Sequence, residues 1–288
     1  MGRIGLAFAA VLALTMSAVA QTKPTFVFTA IPDQDETRLV EKFTRVAQYL
    51  EGKLGLPVKY VPVKSYPAAV TAFINNDVQL AWFGGFTGVQ ARKGAAGSEA
   101  IAQGAQDVNF KSLFIANAKI GLQPTAEFPK QIAGKSFSFG SRASTSGRVM
   151  PEFFIRRAFA GKAPDEVFSR VGFSGDHSRT IQLVQSGAYE VGVVDYTVFD
   201  LDHKAGKFDP DRITVLWETP TYPDYQWTIR GDVDQTFGGG FKDKVRASLL
   251  EIDDATILGY FARSKFIPAK NSDYQPIEDV AKATDLLN

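Results

Sequence analysis

The 288-residue sequence contains no cysteine. That absence removes disulfides, thiolate nucleophiles, zinc–thiolate sites and a lipidated cysteine from consideration. A chain of this length buries enough apolar surface to fold without covalent staples. Histidine is also scarce, with only two residues. No charge of one sign dominates, since 32 basic residues face 31 acidic ones. A nucleic-acid or anionic-membrane surface usually needs a basic excess, so neither partner is expected, and any captured anion must be attracted by local groups. Internal repeats and low-complexity tracts are missing as well. After the first twenty residues, no apolar run approaches the ~20 residues of a membrane-spanning helix.

What is present begins with Arg3, an almost unbroken apolar run from Ile4 to Met16, and the small-x-small ending Ser17-Ala18-Val19-Ala20. This is the pattern of a secretory signal peptide over residues 1–20, cleaved after Ala20; a retained anchor is the alternative. Removing twenty residues from 288 leaves 268, and losing Arg3 leaves 31 basic against 31 acidic residues. The apolar fraction of 45% and the 23 Phe supply well-built cores, in two ordinary domains or one large one.

Short apolar runs alternate with helical patterns, which predicts an α/β protein with parallel strand pairing. Strands are expected at 26–30, 58–61 and 80–83, then at 110–118, 136–139, 167–173, 191–194, 213–217 and 226–229. Helices follow most of them. Asp33-Gln34-Asp35-Glu36 fits a capping box with Asp33 as the cap, ahead of a helix whose apolar face includes Leu39, Phe43, Val46 and Leu50 and which stops at Gly55. Ser65 caps the next helix. Two such blocks, with a tail able to rejoin the first, imply a cleft between two lobes.

The strongest chemical signal is Ser144-Thr145-Ser146-Gly147, where a strand gives way to a helix. The first amides of a helix lack intrahelical partners and lie at the positive end of its dipole, which makes an anion site. Three hydroxyls add donors, and Gly147 permits close approach to the backbone. Capping alone needs one hydroxyl. In a second stretch, His177 opens a helix and Asp195 ends a strand, both at the edge where ligands of open α/β sheets lie; His177 could instead be a surface residue, and Asp195 a helix cap. A third stretch, LAWFGGFTGVQ, places Trp82 and Phe83 before a Gly84-Gly85 turn, as an opposite jaw or as core. The fourth, TPTYPDYQW at 219–227, is too rich in proline and aromatics for a plain linker and offers Tyr225 to a hinge or pocket wall.

Together these residues resemble the phosphonate/phosphite-type periplasmic substrate-binding proteins of ABC importers. The resemblance rests on STSG at 144–147, F-S-G-x-H at 173–177, the strand ending at Asp195, the aromatic-Gly turn at 82–85 and TPTYPDYQW. IPDQDETRL and WFGGFTGVQAR are most similar to a branch commonly labelled selenate-binding. The resemblance implies a two-lobed, type II Venus-flytrap fold with two crossover strands, near Ile115–Lys119 and Leu216–Thr221. The lobes would then comprise residues 21–117 with 219–288, and residues 118–218. It further implies a periplasmic monomer that captures a small tetrahedral oxyanion by hinge closure and delivers it to an ABC permease, without cofactor or metal. Ser144, Thr145 and Ser146 would hold the oxyanion, with His177 and Asp195 beside it. Trp82 or Phe83, with Gly84 and Tyr225, would close over it. The jaw carries Gly85 where the family usually has proline, and Ser178-Arg179 follow His177 where an acidic residue is common.

The identity of the anion depends on protons. Sulfate and selenate offer only acceptors and would meet repulsion at Asp195, whereas phosphite or an amine-bearing phosphonate can donate. Arg142, Arg148 and Arg179 nearby argue toward a more anionic guest. Two rival functions use the same residues. One is a secreted hydrolase with Ser146, His177 and Asp195, although no G-x-S-x-G elbow is present. The other is a receptor for an organic ligand such as a pyrimidine or sulfonate, stacked on Trp82, Phe83 and Tyr225. Cleavage after Ala20 predicts that the N-terminal sequence of the exported protein, read by mass spectrometry, starts at Gln21.

Overall fold

The computed structural model describes residues 23–287, so the signal-peptide reading of residues 1–20 lies outside the described residues. Eleven strands in this span are β1 (Phe26–Ala30), β2 (Val58–Tyr60), β3 (Leu80–Phe83), β4 (Glu99–Gly104), β5 (Ser112–Asn117), β6 (Ser136–Phe139), β7 (Arg170–Phe173), β8 (Val191–Asp195), β9 (Ile213–Glu218), β10 (Gln226–Ile229) and β11 (Phe266–Pro268). They form two separate sheets. One is ordered β11-β4-β10-β3-β1-β2 and the other β7-β6-β8-β5-β9.

Both sheets are mixed, so the expected parallel pairing accounts for part of each. β1 pairs in parallel with β2 and β3, and β6 with β7 and β8. The strands added after each crossover run antiparallel: β10 against β3 and β4, and β5 against β8 and β9. β4 and β11 were not anticipated. β4 reads EAIAQG, whose Ala and Gly carry little β-propensity. β11 is three residues long and is held by pairing with β4 rather than by its own composition.

The chain passes between the sheets twice. After β4, residues 105–109 form a 3₁₀ turn and Phe110 bridges to Tyr222 in the returning segment. Ser112 then accepts from Thr219 N and donates from its own amide to Thr219 Oγ1, each at 3.0 Å. Asp224 N donates to Asp107 O at 3.0 Å. The return through Thr219–Tyr225 overlaps the expected Leu216–Thr221 only from Thr219 on, because residues 216–218 still belong to β9 in the second sheet. The outgoing one does not lie near Ile115–Lys119, because β5 is wholly paired inside the second sheet and the passage precedes Ser112. Residues 112–117 therefore belong with the second sheet, not with the first lobe's expected 21–117.

Local rules explain most helix ends. Ser65 Oγ accepts from Ala68 N at 3.2 Å to start the Tyr66–Ile74 helix, and Gly55 closes Glu36–Leu54 in the left-handed region at φ 69°. The cap of the latter helix is Asp35, which accepts from Arg38 N at 3.2 Å. Asp33 is not that cap. It lies buried two residues earlier, and its carbonyl accepts from His177 N at 3.0 Å across the gap between the sheets.

Alternation on β5 divides the second core. Phe114 and Ala116 pack with Phe137, Val193 and Leu216 on one face, while Leu113 and Ile115 meet Ile181, Val184 and Val194 on the other. The first core is aromatic, with Phe43 edge-on to Trp227 at 6.1 Å and to Phe261 at 5.7 Å. Phe137 is fully buried and stacks on Phe168 at 4.5 Å. Phe137→Ala should therefore cost about 3–5 kcal/mol, read as a lowered midpoint of chemical denaturation.

Candidate functional site

The Ser144–Gly147 turn is built by its neighbours. β6 ends at Phe139, and Gly140 N donates to Gly147 O at 2.9 Å, folding the intervening loop back on itself. Residues Thr145–Val149 form a wide π-type turn that runs directly into the Met150–Ala158 helix. Val149 N reaches Ser144 O at 3.0 Å, so the carbonyls begin accepting one residue later than in an α-helix. Ser144 Oγ accepts the Gly147 amide at 2.9 Å. The amides of Thr145 and Ser146 precede the first intrahelical bond and have no carbonyl of their own turn to meet. Ser146 O accepts from Ser112 Oγ at 2.7 Å, which ties the turn to the outgoing crossover.

Gly147 has a use other than backbone approach to a guest. A Cβ there would lie 3.0 Å from both His177 Cε1 and Ser144 Oγ, so the missing side chain lets the imidazole pack on the turn. His177 Nδ1 accepts from Asp195 N at 3.2 Å. A neutral imidazole that accepts at Nδ1 carries its proton on Nε2. That Nε2 is buried without a partner and stands 3.8 Å from Asp195 Oδ2. Asp195 caps the following helix through Oδ1, which accepts from Val198 N at 2.7 Å and Thr197 Oγ1 at 2.8 Å. Its Oδ2 accepts from Tyr225 Oη at 2.9 Å. Asp195 thus takes the capping role with one oxygen, while the other is held by the Tyr225 hydroxyl.

From the first-sheet side, Gly84 and Gly85 meet the turn directly. Phe86 N donates to Thr145 Oγ1 at 3.0 Å, and Gly85 N donates to Asp224 Oδ1 at 2.9 Å. A Cβ on Gly84 would stand 3.1 Å from both Asp224 Oδ1 and Thr145 Oγ1, so glycine is what allows the close approach. Trp82 stacks on Tyr225 with centroids 5.4 Å apart and planes at 14°, and both are buried. Phe83 turns to the other face of its strand and packs edge-on against Phe73 at 5.6 Å, as core. Among the named jaw residues the cluster therefore includes Gly84 and Tyr225, with Trp82 behind Tyr225, and leaves out Phe83.

Tyr66 and Asp224, passed over in the sequence, complete the cluster, with Asp33 and Lys42 buried behind it. The Tyr66 hydroxyl lies near Ser144 but is buried with no hydrogen-bond partner. Asp224 Oδ2 is likewise buried and unpartnered, beside Thr145. Burial pushes the Asp224 carboxyl up to about 7, against the opposing donors Gly85 N–H and the Thr145 hydroxyl. Asp33 is raised too, chiefly by burial, with Lys42 opposing the shift. Burial lowers Lys42 to about 8, with Asp33 opposing. Asp224 had a signal within the proline-aromatic segment, where an acid interrupts an otherwise apolar stretch. Tyr66 looked like an ordinary first-turn residue after Ser65.

The arginines serve elsewhere. Arg142 lies 3.7 Å above the Phe173 ring, Arg148 pairs with Glu152, and Arg179 reaches Gln182 at 3.4 Å. An open groove between the sheets passes Pro32, Tyr60, Ser141 and Gly175, but Tyr66, His177 and Asp224 do not line it. The triad reading fails on geometry. A catalytic histidine donates Nδ1–H to its carboxylate and turns Nε2 to the serine. Here Nδ1 accepts from an amide, and the Asp195 carboxylate sits on the Nε2 side.

Residues 28–274 match the family model described as ABC transporter, phosphonate, periplasmic substrate-binding protein. The chain is 37% identical over 266 residues to the probable phosphite-binding protein of an ABC transporter from Prochlorococcus marinus, covering 88% of this chain and 87% of that one. It superposes on the solved structure of the Prochlorococcus marinus protein in complex with methylphosphonate with a TM-score of 0.88 at 36% identity, covering 91% of this chain and 99% of that one. A phosphate-import protein of Mycolicibacterium smegmatis is 24% identical over 208 residues, 68% of this chain and 63% of that one. The hydrogen-bond pattern at His177 predicts the Nε2–H tautomer in the ligand-free protein at neutral pH. Long-range ¹H–¹⁵N correlation of the two imidazoles checks it, and a protonated Nδ1 with a bare Nε2 would contradict it.

Proposed function

Because the chain belongs to the periplasmic phosphonate-binding proteins of ABC transporters, we propose that it captures a small, singly protonated phosphorus oxyanion at the Ser144–Gly147 turn for delivery to a permease. It is a substrate-binding component of a phosphonate/phosphite importer family whose members act in the periplasm. Export by the signal peptide at residues 1–20 fits that compartment. The observation that carries the finer reading is the convergence of three buried, unpartnered polar atoms on one hydroxyl-bearing turn: Tyr66 Oη, His177 Nε2 and Asp224 Oδ2. Each unmet group costs about 1–3 kcal/mol, so the closed lobes call for a guest that satisfies all three together.

The donor set suits a tetrahedral oxyanion. The Thr145 and Ser146 amides, the Ser144–Ser146 hydroxyls, the tyrosine hydroxyl and His177 Nε2–H can all donate. Asp224 selects for a proton. Whether the carboxyl donates to a dianion or the carboxylate accepts from a monoanion, one proton lies between Oδ2 and the guest. Phosphite and alkylphosphonates keep a second proton near neutral pH; sulfate and selenate do not. This favours phosphite or a small phosphonate over the selenate reading. The Prochlorococcus marinus relative, named for phosphite and solved with methylphosphonate, agrees with that choice. The aromatic-ring receptor is disfavoured because Trp82 and Phe83 are already packed against protein rings.

Calorimetric titration against phosphite, methylphosphonate, phosphate, sulfate and selenate tests the class. Thr145→Val should weaken binding of the best ligand by about 10- to 150-fold, the loss of one charge-assisted hydrogen bond. Unchanged affinity would refute the site. The pH dependence has a definite sign. A carboxyl raised to about 7 in the closed form holds a proton below that pH and releases it above, so binding weakens as pH rises through about 7. The fall should approach about tenfold per pH unit once both partners are ionised. Asp224→Asn donates at every pH and should flatten that slope, whereas an unaltered slope would show that Asp224 does not hold the shared proton.

A further inference from the structure

A second polar constellation joins the lobes away from the three unpartnered atoms. Arg38, in the helix behind β1, sends Nη1 to Asp202 Oδ1 at 2.9 Å. Asp202 lies in the Tyr196–Lys204 helix packed on the second sheet, and its other oxygen accepts from Ser178 Oγ at 2.6 Å. The two charged side chains are 17% and 3% exposed. A flanking pair, Lys207 with Asp35 at 3.6 Å, spans the same gap but is open to water. Arg38 is three residues from the cap of its helix, while Ser178 immediately follows His177. One carboxylate therefore ties the first turn of the His177 helix to the opposite lobe.

We infer that Arg38, Asp202 and Ser178 form a closing latch that sets how long the ligand is retained. The inference rests on the proposed function only for its choice of ligand. Each lobe has its own sheet, the second has cores of its own, and Arg38, Asp202 and Ser178 belong to none of the apolar cores. The pair can form only when the lobes approach, so its free energy adds to closure and is lost on opening. Removing the guanidinium leaves Asp202 buried with a single neutral donor, and a charge so stranded is costly. That cost falls on the closed state alone, because an open cleft rehydrates the carboxylate. The effect belongs to release rather than capture, since encounter with the ligand precedes closure. It also explains the departure noted after His177: the position needs a hydroxyl donor to Asp202, where an acidic side chain would repel it.

Stopped-flow tryptophan fluorescence with methylphosphonate tests the latch. Arg38→Met should raise the dissociation rate about tenfold or more with little change in the association rate. Ser178→Ala, which leaves the charge pair in place, should raise it less. The double variant Arg38→Met/Asp202→Asn should recover part of the loss, because the stranded charge is gone. A ligand-free measurement runs in parallel. The chain has no native cysteine, so Asp77→Cys and Lys162→Cys, both exposed positions, take spin labels on opposite lobes without competition. Arg38→Met should shift the interlobe distance distribution to longer values. Dissociation rates and distances both matching the wild type would overturn the latch. If the wild type binds none of the five oxyanions, the proposed function falls, and the distance shift alone decides the latch.

Discussion

The structure depends on the cost of burying polar atoms that the protein itself does not satisfy. In a folded interior nearly every donor and acceptor has a partner, and an exception calls for an explanation. Tyr66, His177 and Asp224 are exceptions that come from three separate segments yet meet one turn. A ligand that completes their hydrogen bonds lowers the energy of the closed arrangement specifically. In an open cleft water would serve the same atoms, so the ligand gains its leverage from closure.

Charge is used sparingly around that turn. The nearby arginines are occupied by aromatic faces and by Glu152, and the groups left facing the turn are hydroxyls, amides, one imidazole and one carboxyl. For the anion proposed above, such a set would act by directed dipoles rather than by a countercharge. A site of this kind accepts an anion only when geometry and proton count both fit. The near-zero net charge of the chain is consistent with that economy: no long-range field gathers anions indiscriminately.

The two crossovers make the site possible. Their cross-bridging at Phe110–Tyr222 and Ser112–Thr219 keeps two chain passages in register, so Asp224 emerges from the return segment against Gly85 while Ser112 anchors Ser146. The crossovers and the proposed binding turn are thus in direct contact. A change in one passage is felt directly at the carbonyl of Ser146 and the carboxyl of Asp224.

The α/β class, the two-block organisation, the hydroxyl turn and the positions of His177 and Asp195 were legible because each is a local pattern. Apolar periodicity, capping residues and a strand ending before Ser144 depend on neighbours within a few residues. The mixed strand directions, the short β4 and β11 and the earlier crossover were not legible. The pairing of β4 is set by partners more than a hundred residues away, and a strand such as EAIAQG exists only because β10 and β11 flank it. Asp33 shows the same limit: its spacing to Glu36 mimics a cap, but Asp35 took that place and Asp33 was drawn inward by the backbone of His177. The chain's own order of residues settled what chemistry was available, while tertiary packing chose which groups would be left unpaired, because burial and the absence of a partner are properties of the assembled lobes alone.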